Sequence, residues 1–125
     1  MIFLMVRIEI PIKALSVNDA HEGRHIKTAA FHQFENDVCK LLPFYKGQVS
    51  DSERFVKYVF YIKNYRNSDV ANLEKILTDL LVKRGYFKDD KFIKAMYLEK
   101  ISVHDVLEEK IITDIVLYAD RYKIL

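Results

Sequence analysis

Carboxylates at two breaks in the chain are the groups best placed to do chemistry. Asp69 stands immediately before an apolar-periodic segment, and Asp89 and Asp90 stand together just ahead of a later apolar run. Between them Asn72, Lys75 and Asp79 recur at steps of three and four, which aligns them as a polar stripe on one side of a helix. Carboxylates with no apolar role, next to Asn and Lys, are the oxygen donors that hold a hard divalent cation such as Mg²⁺. A strand that crosses the start of the helix would bring Asp90 beside Asp69. The spacing also allows a plainer reading, in which Asp69 only caps the helix and Asp89-Asp90 only forms a turn.

The elements that must position these groups follow from periodicity. Val70, Leu73, Ile76, Leu77, Leu80 and Leu81 form the buried stripe of a helix. Ser68 or Asp69 can cap its first turn, and Lys83, Arg84 and Gly85 make a usual helix stop. Residues 1–10 read as a strand, with Arg7 and Glu9 on one face and Val6, Ile8 and Ile10 on the other. Pro11 to Lys27 reads as a long loop. Thr28 to Leu42 is an amphipathic helix with Phe31, Phe34, Val38, Leu41 and Leu42 inward, ended by Pro43. Arg54 to Lys63, rich in aromatic and β-branched residues, predicts a central strand apolar on much of both faces. Phe92 to Lys100 and Lys110 to Ala119 are further strands, expected to pair antiparallel, and Asp120 to Leu125 is a short tail. The order β-loop-α-β-α-β-β predicts one α/β domain over residues 1–125, with a mixed sheet of about four strands covered by two main helices.

The motif residues resemble those of the RusA family of Holliday-junction resolvases. The family pattern runs roughly D-x-D-N-x-x-K, an Asp four residues on, then G-x-x-x-D-D. Here it reads Asp69-Val70-Ala71-Asn72-Leu73-Glu74-Lys75, Asp79, and Gly85 to Asp89-Asp90. Upstream, Ser16-Val17-Asn18, Gly23-Arg24 and Lys27 look like the family's P-S-x-N, G-R and basic segment, with Leu15 where a Pro is typical. The resemblance implies catalytic roles for Asp69, Lys75 and Asp90, with Asp69 and Asp90 as Mg²⁺ ligands and Mn²⁺ as the substitute ion. It implies supporting roles for Asn72, Asp79 and Asp89. One position departs: the second Asp of D-x-D is Ala71, and a methyl group cannot coordinate a metal. Glu74, one turn away, points farther round the helix.

The activity implied is a Mg²⁺-dependent, structure-selective endonuclease that resolves four-way DNA junctions by paired symmetric nicks, impaired by Ala71. The alternative is a junction-selective DNA-binding protein without significant cleavage. Asn18, Arg24, Lys27, Lys63 and Arg66 are the expected DNA contacts, since cations hold phosphates that bare carboxylates repel. A four-way junction is two-fold symmetric and needs two cuts, so a homodimer is expected.

Composition bounds the remaining classes. With 125 residues, half of them hydrophobic, and eight Tyr and eight Phe, the chain suits a folded domain with a real core and not a disordered tail. A net charge of +2 is too weak to argue for DNA by itself. A single Cys39 makes no internal disulfide and reads as a buried thiol, and four scattered His provide no zinc-ligand spacing. The N-terminal apolar run is too short and soon too polar to span a membrane, and it lacks the features of a signal peptide. A cytoplasmic protein with no membrane partner and no organic cofactor is the expectation.

Overall fold

The computed structural model describes residues 5–15, 21–22, 26–45, 52–63 and 70–125. Asn18, Arg24, Arg66 and Asp69 lie outside these residues. Ala71 and Asn72 are described by backbone only.

Four strands form the main sheet: β1 (Val6–Ile10), β4 (Arg54–Ile62), β5 (Ile93–Ser102) and β6 (Lys110–Leu117). Their spatial order is β1-β6-β4-β5, with β6 antiparallel to both β1 and β4, and β5 parallel to β4. Two further short strands, β2 (His21–Glu22) and β3 (Ile26–Lys27), pair with each other inside the stretch expected to be loop. Helix α1 spans Ala29–Leu41 and helix α2 spans Val70–Lys83. A mixed α/β domain is therefore what forms.

The β4 sequence explains why it takes the middle. Phe55, Val56, Tyr58, Val59, Phe60 and Ile62 are all buried, so both faces of this strand leave water. A strand buried on both faces has to be paired on both edges and covered on both sides. The expected pairing of the last two strands does not form. β4 lies between them, pairing Arg54–Tyr61 with β6 on one side and Arg54–Ile62 with β5 on the other. The connection from β5 to β6 instead crosses the end of β4, where Val103 N–H donates to Ile62 O at 3.2 Å and Lys63 N–H to Glu109 Oε2 at 3.3 Å. β5 is the more exposed strand and sits at the edge.

Cross-strand register sorts the two faces. Ile8, Thr113 and Tyr58 stand in one row, as do Ile10, Ile111 and Phe60, and both rows face the helices. There Phe31, Phe34, Val38 and Leu42 pack with Leu73, Ile76, Leu77, Leu80 and Leu81 in one core. Leu41, expected inward, is 49% exposed, because the helical step of four from Val38 lands on Leu42. Cys39 is half-buried, not fully buried. Thr28 caps α1, its hydroxyl accepting from Phe31 N–H at 3.2 Å.

On the opposite face, Arg7, Asp114 and Lys57 form a polar row. The Arg7 guanidinium grips the buried Asp114 carboxylate with two bonds, at 2.7 and 2.9 Å, which raises the Arg7 pKa. The C-terminal segment is no frayed tail. It winds into a 3-10 turn over Tyr118–Lys123, and Lys57 Nζ donates to Ile124 O at 3.2 Å. Among the described residues, no helix is long and apolar enough to cross a membrane.

Candidate active site

Helix α2 presents two chemically distinct sides. From Leu73 to Leu81 its apolar stripe is buried, Leu77 and Leu81 completely so, while Lys75 and Asp79 are exposed. This fixes the rotation of the helix and leaves the Lys75–Asp79 turn facing outward along the sheet. The end of α2 is set by Gly85 at φ 82°, a left-handed conformation that a side chain would strain. Gly85 N–H donates to Val82 O and Tyr86 N–H to Leu81 O, both at 3.0 Å, which satisfies carbonyls left over at the helix end. Phe87, 2% exposed, then pins the returning chain into the core.

That anchor delivers Asp89 and Asp90 to the start of β5. The Asp89 carboxylate caps a 3-10 turn over Asp90–Phe92, accepting from Lys91 N–H at 3.0 Å. This bond holds the Asp89 pKa below its ordinary value, helped by a hydrogen bond from the Asp90 carboxyl. Asp90 moves the other way. Its hydrogen bond to Asp89 raises it most, the nearby Asp79 charge adds to the rise, and Lys75 opposes it. The two neighbours titrate as a set, Asp90 above and Asp89 below the ordinary aspartate value.

Two adjoining cavities surround Asp90. The larger, of about 420 Å³, has an apolar floor of Phe31, Ile76, Leu80 and Val82, and Lys27, Lys83, Asp79, Asp89 and Asp90 line it as well. Lys27 Nζ sits 4.6 Å from the centre of the Phe31 ring. The smaller, of about 120 Å³, is lined by Glu74, Lys75, Thr78, Asp79, Asp90, Ile93 and Met96. Residues from three separated stretches thus meet: Lys27, the Lys75–Asp79 turn, and Asp89-Asp90.

The remaining expected contact, Lys63, lies elsewhere. It follows Ile62, whose partner on β5 is Ser102, whereas Asp90 precedes Ile93 at the other end of the same ladder. At about 3.3 Å per residue, the length of β4 separates them by some 30 Å. Lys63 and the Asp90 cavities do not share a site within one chain.

The donor set fits a hard cation in kind. Asp89 and Asp90 offer neighbouring carboxylates, oxygen donors of the kind a hard divalent cation takes. Among the described residues, however, no three acidic, His or Cys side chains are grouped closely enough to hold a metal by themselves.

Periodicity did not disclose one feature of the site. Tyr58 Oη lies 2.7 Å from Thr78 Oγ1, and Thr78 Oγ1 donates to Glu74 Oε2 at 2.6 Å. With the Thr78 hydrogen committed to Glu74, Tyr58 is the donor to Thr78. Burial raises the Tyr58 pKa far above its ordinary value, so it keeps its proton. The available signal was Thr78 itself, a hydroxyl standing amid the buried stripe Ile76-Leu77-Leu80-Leu81.

A comparison with family models matches residues 20–109 to the endodeoxyribonuclease RusA. The match begins before Lys27 and ends beyond β5, and so takes in α1, β4, α2 and both acidic motif positions. No curated protein matches the chain significantly.

Proposed function

Because the chain belongs to the RusA family of endodeoxyribonucleases, we propose that it is a divalent-metal-dependent nuclease acting on four-way DNA junctions, with its chemistry at Asp90 and Lys75. The observation that supports this most is the meeting of Lys27, Lys75, Asp79, Asp89 and Asp90 around two cavities that share Asp79 and Asp90. A surface that brings cations and carboxylates together in this way suits a phosphodiester. The cations would hold the backbone and the carboxylates would hold a divalent ion that offsets its charge.

Asp90, with Asp69, would hold Mg²⁺ or Mn²⁺, and Asp89 would fix the Asp90 backbone through its cap on Lys91. Bound there, the ion would supply a water of lowered pKa and offset negative charge on the phosphate. Lys75, whose charge already acts on Asp90, stabilises negative charge that develops on the non-bridging oxygens. Lys27, with its ammonium over Phe31, positions a neighbouring phosphate. Asn18, Arg24 and Arg66 extend that contact, as does Lys63 at the far end of β4. Two copies of the chain act on one junction, each making one nick.

Ala71 favours a second reading, a junction-selective binding protein that cuts poorly, since the family's carboxylate at this position is missing. One experiment addresses both. A labelled four-way junction and a linear duplex of equal length are incubated with the protein in Mg²⁺ and in EDTA, alongside gel shifts on both DNAs. Preferential junction binding with paired Mg²⁺-dependent nicks supports the nuclease. Preferential binding without nicks, in both this chain and Ala71→Asp, supports the binding protein. Equal affinity for junction and duplex refutes both.

A further inference from the structure

Thr78 is 4% exposed and Tyr58 is fully buried, and their hydroxyls form a chain that ends on one oxygen of Glu74. A helical Thr ordinarily returns its hydroxyl to the backbone carbonyl four residues earlier. Here Thr78 bonds instead to the side chain of that residue, and a tyrosine rising from the central strand holds it there. The chain therefore runs from the core of the sheet to a carboxylate on the wall of the cavity shared with Asp90 and Lys75. Glu74 Oε2 takes the Thr78 hydroxyl. Among the described residues, Oε1 has no hydrogen-bond partner. Glu74 is also one helical turn from position 71, where the family pattern asks for an acid and this chain has a methyl group.

We propose that Tyr58 and Thr78 are positioning residues that aim the Glu74 carboxylate into the Asp90 cavity, where Glu74 supplies the acidic group that Ala71 lacks. This rests on the site reading given above. A small divalent ion keeps several of its waters and is held by one or two carboxylates directly. The remaining waters need fixed acceptors, and loss of such an outer acceptor typically costs about 10–100-fold in metal affinity. The 120 Å³ cavity between Glu74 and Asp90 has room for hydrating waters. Glu74 acts on them as an outer acceptor. A purely structural Glu74, present only to satisfy Thr78, would not need its charge.

The test is titration of the intact protein with Mn²⁺ alone, followed by electron paramagnetic resonance of the free ion, with thermal melting in parallel. Glu74→Gln keeps an acceptor for Thr78 and removes only the charge. It is expected to melt close to the parent yet bind Mn²⁺ about 10–100-fold more weakly. Thr78→Val is expected to weaken binding as well, and Thr78→Ser to retain it. Ala71→Asp combined with Glu74→Gln is expected to restore affinity. Asp90→Asn is the control for the site itself. Parent-like affinity in Glu74→Gln, with binding lost in Asp90→Asn, overturns this inference and leaves the site standing. Parent-like affinity in both variants overturns the inference together with the reading beneath it. A parent chain that binds no Mn²⁺ while Ala71→Asp does so also overturns it, because Glu74 would then replace nothing.

Discussion

The buried hydroxyl pair makes a stability prediction that is independent of any assay on DNA. Thr78→Val preserves shape but removes a group that both accepts and donates. It strands the Tyr58 hydroxyl in a fully buried position, at about 1–3 kcal/mol for an unsatisfied buried polar group. It also removes the bond to Glu74. Glu74 is half-exposed, so water partly replaces that bond and the further cost is about 1 kcal/mol. The single variant should therefore lose about 2–4 kcal/mol. Tyr58→Phe leaves Thr78 still donating to Glu74 and should lose only about 1 kcal/mol. In the double variant no buried hydroxyl is stranded, and replacing both partners by apolar groups of similar shape is nearly neutral for their mutual bond. With only the bond to Glu74 lost, its cost should fall below the sum of the singles by about 2–4 kcal/mol, at the upper end of what residues in one hydrogen-bond network show. Urea denaturation of the four proteins measures this cycle, provided the dependence on denaturant stays constant. Additive costs, to within about 0.5 kcal/mol, would show that Tyr58 and Thr78 are not coupled.

Three further outcomes are expected. Asp90→Asn should abolish Mg²⁺-dependent nicking but raise the melting temperature of the metal-free protein at neutral pH. The raised pKa of Asp90 means that ionising it disfavours the folded state, and the gain should vanish below the unfolded-state aspartate pKa, where the parent carboxyl is protonated in both states. A melting gain that persists unchanged into acid would contradict the charge argument. In a Glu74→Gln background, where nothing stands in for the missing carboxylate, Ala71→Asp should raise nicking by about 10²–10³, the usual size of one catalytic electrostatic contact, and a time course giving equal rates would remove position 71 from the mechanism. Arg7→Met leaves the Asp114 carboxylate, 5% exposed, without its two charge-assisted bonds. Because Arg7 itself is 58% exposed, water reaches the pair and the cost should be about 1–3 kcal/mol, less than for a fully buried pair. The same denaturation series measures it, and a change under about 0.5 kcal/mol would mean that the pair contributes no more than a surface bridge.

Periodicity made α1, α2 and the faces of β1 legible because each has one wet side and one dry side. It failed at strand order because pairing is decided by how many faces a strand must bury, and that is a property of the whole sheet. β4 carried the information in its composition, since six of its residues are buried and they fall on both faces. A short connection between two strands suggested adjacency, but β4 lies between β5 and β6. Leu41 shows a smaller case of the same limit. Two successive leucines at a helix end are equivalent in pattern, and only the packing of Val38 and Leu42 chooses between them.

The site was legible to a different depth at each residue. Lys75, Asp79 and Asp90 are exposed charges on elements whose rotation is fixed by buried leucines, so their meeting follows once α2 lies on β4 and β5. Lys63 looked close to the acidic motif in sequence because it nearly abuts Asp69. The sheet carries it to the opposite end of β4 from Asp90, since β4 and β5 run parallel and α2 must return along them. That return run also explains where Glu74 acts. The middle of α2 lies against the opening of β5, and Glu74, Lys75, Thr78 and Asp79 line the gap. An acid at position 74 is therefore closer to the described part of the site than its place in the motif suggests. Its orientation depends on Tyr58, sixteen residues earlier on the central strand, through a threonine that periodicity alone would class as a flaw in an apolar stripe.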